Sequence, residues 1–346
     1  MENTFANRLV NARKIRCMSQ RNLAEALEIS ASAIQKYENG KMMPSSNILI
    51  QMCKILNVNL DYFFRPFNTS IDLSKFEFRK KSSLGEKQKE SIKLIVASKV
   101  EKYLEIESFV NDSVTFSLDY SDIIASNEKD AIEIAQRIRR DWNIGFDAIV
   151  SAIELLESCG VKIIEVDEND KFSGACNMVD SIPIIAVNKN MQSERKRLTI
   201  FHELGHLVMK FADGADKEKL CNVFANEVLI PSEKFISIIG PIRHDISLVE
   251  LKAIQQEYGI SIDALMAKAN NLNVISDQRY QVYYKKKNSN TALRESIEKS
   301  RYENERTSRF ERLVYRALAS EIISFSKAAA LLEISVNDVR ENLNLM

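Results

Sequence analysis

The chain has 346 residues, 45% of them hydrophobic and 28% charged, with 48 basic side chains against 48 acidic ones. That length exceeds a single core, and the composition is that of a globular protein rather than a disordered or fibrous one. No apolar run approaches the roughly 20 residues that span a bilayer, Met1-Glu2-Asn3-Thr4 lacks the pattern of a secretory leader, and no membrane partner is expected.

Charge is unevenly spread. From Met1 to Pro66 nine basic side chains face five acidic ones, a surplus that points toward nucleic acid. The five cysteines, Cys17, Cys53, Cys159, Cys176 and Cys221, form no C-x-x-C pair. A disulfide framework or a cysteine-rich zinc site is therefore not expected, and a cytoplasmic location is.

Residues 4–65 read as a string of short helices. Phe5, Leu9, Ala12 and Ile15 keep helical spacing. Ser19 caps a second helix, Gln20 to Leu27, and Ser30 caps a third that Asn39-Gly40 ends. Ser45 opens a fourth, with Ile48, Leu49, Met52 and Leu56 inward, and Leu60 to Phe64 forms a last turn. Two short helices joined by a tight turn, with small Ala24 at the crossing, describe a helix-turn-helix.

The Ser19 cap, Ala24, the Ile29-Ser30 turn and the Glu38-Asn39-Gly40-Lys41 ending closely resemble the phage-repressor (XRE, Cro/cI-like) family over about residues 5–65. The resemblance implies a third helix in the major groove. Ala31, Ser32 and Lys36 would then face bases, and Gln20, Asn39 and Lys41 would approach phosphates. Double-stranded operator DNA is the implied partner.

Pro66, Asn68, Thr69, Ser70, Ser82, Ser83 and the basic run Arg79-Lys80-Lys81 have linker chemistry. Long helical spacing follows over about Glu86 to Phe109, and again over about Glu128 to Trp142, whose tryptophan is read as a core anchor. Ala148 to Ser158 reads as a helix. Three strands are expected, at 161–166, 173–179 and 182–188. Pro183 removes a ladder donor, which places the last strand at an edge, where an extended peptide can add.

The helix expected from Ser193 to Met209 carries His202-Glu203-Leu204-Gly205-His206. The chain holds three histidines, and this pentad takes two of them. On a helix the two imidazoles lie one turn apart on one face and can hold one metal ion, while Glu203 reaches a metal-bound water as base. Such a short pattern arises by chance in roughly one chain in a hundred of this length, so context decides. Gly205 costs an interior helix about 1 kcal/mol relative to alanine, which implies that another backbone, that of a second ligand helix, passes close by.

A catalytic zinc usually takes three protein ligands. His244 is the remaining histidine and lies beyond Pro231 and Pro241, so a carboxylate is favoured. Glu218 and Glu227 share the next helix, about Lys217 to Leu229. Nine residues of helix turn through about 900°, so the two carboxylates point in opposite directions. Glu218 follows the Asp213-Gly214 turn and can return to the metal, which leaves Glu227 solvent-facing or structural.

Residues 195–235 strongly resemble the ImmA/IrrE family of metallopeptidases: a basic residue and Thr199 before the pentad, then Glu218, Cys221-Asn222, Phe224-Ala225 and Leu229-Ile230-Pro231. The resemblance settles the third ligand on Glu218. It implies Zn2+ held by His202, His206 and Glu218, with Glu203 as the general base. His244, Tyr258 and Arg197 stand as candidates for the group that stabilises the oxyanion.

Residues 285–312 are strongly charged and read as helical. Leu332-Glu333-Ile334-Ser335 then repeats Leu27-Glu28-Ile29-Ser30, with Ala329 matching Ala24 and Val339 matching Ile34. Acidic Asp338 and Glu341 argue against DNA at this second pair, so packing or substrate docking is favoured. The expected fold is mostly α with a small mixed sheet (α+β). It has a five-helix XRE domain at 1–67, a linker and long connecting helix at 68–127, a zincin-like peptidase domain at 128–275 and a helical region at 276–346.

The function expected is a DNA-binding zinc metalloendopeptidase that cleaves a regulatory protein, with a second copy of itself, as a homodimer, among its candidate partners. That protein would be a repressor or antitoxin-like partner, and its cleavage would control transcription or a stress, mobile-element or defence response. The alternative is a transcriptional regulator or antitoxin whose peptidase-like domain senses or binds without proteolysis.

Overall fold

The computed structural model describes residues 4–65, 77–78, 84–120, 122–300, 302 and 305–343. Pro66, Asn68, Thr69, Ser70, Ser82, Ser83 and the Arg79-Lys80-Lys81 run lie outside the described residues. The fold is mostly helical with small sheets, and the chain divides into two units. One joins Met1–Val114 to Ser308–Met346; the other is Thr115–Thr307.

In the first unit α1 (Thr4–Ile15), α2 (Gln20–Ala26), α3 (Ala31–Glu38), α4 (Ser46–Leu56) and α5 (Leu60–Phe64) enclose a core of Phe5, Leu9, Leu23, Ile34, Met52 and Phe63. The expected caps form: the hydroxyl of Ser19 accepts from the Asn22 amide, and that of Ser30 from Ala33. Glu28 turns the chain between α2 and α3 at a φ of 54°. This left-handed value is uncommon for a residue with a Cβ.

The two-residue strand β1 (Glu77–Phe78) precedes the long helix α6 (Glu86–Val110). α16 (Arg309–Ala319) packs along α6, and α17 (Phe325–Leu332) and α18 (Val336–Leu343) follow it. The sequence repeat is also a structural one. Glu333 adopts a φ of 60°, the Ser335 hydroxyl accepts from the Asp338 amide at 3.1 Å, and Ala329 and Val339 are buried as Ala24 and Ile34 are. Ion pairs fasten these helices to α6: Lys327 to Glu105 at 2.6 Å, Lys102 to Glu333 at 2.5 Å, and Arg309 to Glu107.

The second unit begins with β2 (Ile124–Ala125), α7 (Glu128–Asp141) and α8 (Ala152–Ser158). β3 (Lys162–Val166), β4 (Gly174–Val179) and β5 (Ile182–Asn188) follow. α8 is shorter than expected because Ser151 caps it, its hydroxyl accepting from the Glu154 amide. β5 runs antiparallel to β4 and parallel to β3. It therefore lies between them, not at an edge. Pro183 sits beside the hairpin turn, one residue before the parallel ladder begins at Ile184, and its missing N–H costs that ladder no hydrogen bond.

α9 (Ser193–Val208) lies against this sheet with Ile200, Phe201 and Leu204 fully buried. β6 (Lys210–Phe211) pairs with β2, and α10 (Lys217–Leu229) crosses α9. α11 (Ser232–Ile239), α12 (Leu248–Tyr258), α13 (Ile262–Asn271), α14 (Asp277–Ser289) and α15 (Thr291–Glu298) complete the unit. The charged helical stretch expected over 285–312 is thus interrupted after Glu298. There the chain turns Glu305 inward, where its carboxylate takes the Arg197 guanidinium and the amides of Ala152 and Ile153.

Arg197 has no exposed side-chain surface and also donates to the Ile149 carbonyl. Breaking such a pair strands a buried charge at a cost of about 3–5 kcal/mol. Glu305→Gln is expected to lower the unfolding free energy of this unit by that order. Urea unfolding followed through Trp142, the only tryptophan, reads it, and an unchanged midpoint would refute the assignment.

Candidate functional site

α9 carries three polar residues of the pentad into a nearly closed environment. His202 is fully buried, Glu203 is 2% exposed, and His206 is half-buried. The Nε2 atoms of His202 and His206 lie 3.2 Å apart. Glu218, in the first turn of α10, places Oε2 3.5 Å from His202 Nε2 and Oε1 3.3 Å from His206 Nε2. Tetrahedral zinc with bonds of about 2.0–2.1 Å separates its ligand atoms by about 3.3 Å. Among the described residues this is the cluster whose donor atoms converge as metal ligands would. Two imidazoles and a carboxylate are also the donor types that suit zinc.

Local sequence fixes each ligand. His202 and His206 share a helix face because they are one turn apart. Gly214, at a φ of 78°, turns the chain between β6 and α10. Asp216 then caps α10 by accepting from the Lys219 amide, so Glu218 falls on the turn nearest α9. The Lys219 ammonium ties α10 to Glu128 of α7 at 2.7 Å.

Gly205 sits where α10 crosses. A Cβ there would lie 3.0 Å from the Phe224 ring, 3.2 Å from Cys221 Sγ and 3.2 Å from Met209 Cε. The second ligand helix does make the close approach that Gly205 implies, but through side chains rather than backbone.

Three contacts were not legible in the pentad. The Asn222 carbonyl oxygen lies 2.9 Å from His202 Nδ1. That contact holds the proton on Nδ1 and leaves the Nε2 lone pair directed at the cluster. Asn222 is four residues beyond Glu218 on α10, a spacing that puts both on one face. Gly174 opens β4 beside Glu203; a Cβ would meet Thr199 Cγ2 at 2.6 Å and Glu203 Oε1 at 3.2 Å. Arg195, one turn before Thr199 on α9, donates to the Ser173 hydroxyl at 3.0 Å next to that glycine.

Glu227 is structural and not solvent-facing. It is buried, accepts from the Ser232 amide at the start of α11, and pairs with Lys268 at 2.8 Å. Burial raises its pKa, but the Lys268 ammonium and Ser232 outweigh that and hold the carboxyl below its ordinary range. Of the oxyanion candidates, Arg197 belongs to the Glu305 pair and Tyr258 donates to the Phe146 carbonyl at 3.3 Å. His244 is exposed between α11 and α12. None joins the ligand cluster.

In the other unit Ala31, Ser32, Lys36, Asn39 and Lys41 are exposed on and after α3. Gln20 is half-buried; its amide donates to Glu38 at 2.6 Å, beside the Arg13–Glu38 ion pair. Among the described residues no helix is long and apolar enough to cross a membrane.

Comparison with known proteins agrees with both halves of this description. Residues 157–270 match the family described as the IrrE N-terminal-like domain, and residues 11–63 match the helix-turn-helix family. Over 61 residues, 18% of the chain, the sequence is 36% identical to YqaE of Bacillus subtilis (strain 168), described as an uncharacterized HTH-type transcriptional regulator. The aligned part spans 53% of that relative. The chain thus carries an XRE-type helix-turn-helix module and a metallopeptidase-like domain of the IrrE type.

Losing a partner that orients a ligand typically costs about 10–100-fold in metal affinity. Asn222→Ala is expected to weaken zinc binding by that factor, measured by competition with a chromogenic chelator. An affinity equal to that of the unaltered protein would remove Asn222 from the site.

Proposed function

We propose that this chain is a DNA-bound zinc metalloendopeptidase that cleaves one regulatory protein, a repressor or an antitoxin-like partner. The observation that carries the reading is the buried Glu203 beside a convergent His202, His206 and Glu218 set. A site that only holds metal for structure has no need of a base next to its ligands.

His202, His206 and Glu218 would hold the zinc, which when bound lowers the pKa of a water and polarises a carbonyl. Glu203 takes the proton from the attacking water and delivers it to the leaving amine. Its burial excludes competing solvent from that transfer. Asn222 keeps His202 in the tautomer that ligates. Gly174, having no side chain, lets β4 run directly against Thr199 and Glu203 and so holds that carboxylate in place. On α3, Ala31, Ser32 and Lys36 present the short exposed surface that reads bases. Asn39 and Lys41 approach phosphates, and Gln20 does so from the first position of α2. Binding to an operator would bring the peptidase to regulators that work on the same DNA. A homodimer would match a palindromic operator.

Glu203→Gln is expected to abolish cleavage of the target when the two are co-expressed, while zinc content and DNA binding stay unchanged. The protein encoded beside this one is the first target to test. Cleavage at the original rate would sink the protease reading, and less than about half an equivalent of zinc after loading would favour a sensing or binding module.

Lys36→Ala is expected to weaken binding to DNA from the protein's own locus and to reduce the salt slope by about 1. An unchanged gel shift would favour a protein-docking role for this module.

A further inference from the structure

The first unit contains a cavity of about 410 Å³ where α4, the link to α5, α6 and α17 meet. α3 contributes nothing to its lining, which includes Lys54, Asn57, Tyr62, Arg65, Lys102 and Glu333. Arg65 and Lys102 line it, and Arg8 and Glu101 lie behind Arg65. Arg8, Arg65 and Lys102 are each at least nine-tenths buried. The carboxylates around them are Glu101, which is buried, Glu333, whose side chain is 66% exposed, and Asp61 on the lining, which Lys54 offsets.

Glu101 is largely committed to Arg8, with bonds of 2.7 and 3.0 Å. It reaches Arg65 only at 3.5 Å, and Arg65 Nε is buried with no hydrogen-bond partner. A buried guanidinium left with an unsatisfied donor is costly, because the low-dielectric interior replaces none of the water it has lost. Lys102 relies on Glu333 alone, at 2.5 Å. Burial holds the Lys102 ammonium below its ordinary pKa in spite of that partner.

We propose that this cavity is a binding site for a small organic anion. Its carboxylate or phosphate group would sit between Arg65 and Lys102, displacing Glu333 from Lys102. The volume lies within the range of small-molecule sites, and an oxyanion matches a planar guanidinium with a free donor. Glu333 acts as the competing internal anion. Because the walls come from both the helix-turn-helix module and the C-terminal helices, an occupant ties α5 and α6 to α17. This proposal does not depend on the peptidase reading.

The test uses the full chain, with inorganic phosphate and, separately, acetate as probes, titrated at constant ionic strength against chloride and read by thermal shift. Saturable stabilisation is expected, with phosphate favoured if the natural ligand is phosphorylated and acetate if it is a carboxylate. Glu333→Gln, a change at an exposed side chain, is expected to lower the half-saturating concentration about five- to ten-fold by removing the competitor. Lys54→Gln, also exposed, should raise it about two- to three-fold, and Arg65→Gln should abolish the effect. Stabilisation that is non-saturable, that Glu333→Gln leaves unchanged, or that disappears with Lys36→Ala would overturn the proposal; the last outcome would place the anion on α3 instead.

Discussion

The site depends on one close crossing, that of α10 over α9 at Gly205. Two histidines on α9 offer two of the donors of a possible metal site, and the third, Glu218, comes from another element at a fixed height. Phe224 and Cys221 fill the groove that the missing side chain leaves, with contact distances a Cβ would crowd. That packing sets how near the start of α10 can come, and hence where Glu218 stands. The roughly 1 kcal/mol of helix propensity that glycine forfeits is small beside what the approach positions. Several unrelated contacts hold the same crossing from further away. Lys219 ties the first turn of α10 to α7. At the other end buried Arg139 donates to the Val228 carbonyl in its last turn, satisfying an acceptor that a helix end would otherwise leave open.

The basic run that precedes the pentad shows how one helix serves scaffold and chemistry at once. Lys196 and Arg197 are both charged, yet both have no exposed side-chain surface. Lys196 pairs with Glu165 of β3 and also donates to the Glu305 carbonyl; Arg197 pairs with the Glu305 side chain. Gly259 makes room for that guanidinium: a Cβ there would lie 2.5 Å from Arg197 Nε. These ions clamp the N-terminal half of α9 to the sheet and to the segment that follows α15, so the ligand-bearing half emerges from a fixed base. Arg195, on a different face, is exposed and meets Ser173 beside Gly174. Adjacent positions on one helix thus carry an exposed cation and two fully buried ones.

Local information carried much of this. The Ser19 and Ser30 caps, the helix ends at Asn39-Gly40, the ligand pair on one helix face and the opposition of Glu218 to Glu227 follow from periodicity and capping chemistry. The features that escaped depend on partners distant in sequence. The burial of Arg197 requires Glu305, more than a hundred residues away. Glu227 is left as solvent-facing or structural by its helix position, and only Lys268 and Ser232, from outside that helix, decide for the structural role. Pro183 reads as an edge marker because local rules assign proline to edges. They do not encode that its position, ahead of the parallel ladder, makes the lost donor harmless within a central strand. Asn222 lay within reach, since its spacing from Glu218 was visible, but nothing in α10 alone says that a histidine of another helix waits opposite it.

The internal repeat shows the limit of motif reading from the other direction. Leu27-Glu28-Ile29-Ser30 and Leu332-Glu333-Ile334-Ser335 fold alike, both turning through a left-handed glutamate into a serine-capped helix. Their difference lies in where that glutamate points. Glu28 is exposed, as befits a turn in a module whose outer face is free. Glu333 reaches back to Lys102 on α6, and Lys327 of the same helix reaches Glu105. This pair of helices is fastened to α6 by its own turn residue, while Asn337, Asp338, Arg340 and Glu341 of α18 stay exposed. The same local code thus gives a turn that faces solvent at one end of the chain and a wall of a charged cavity at the other, and what separates them is the Lys102 side chain that Glu333 meets and Glu28 does not.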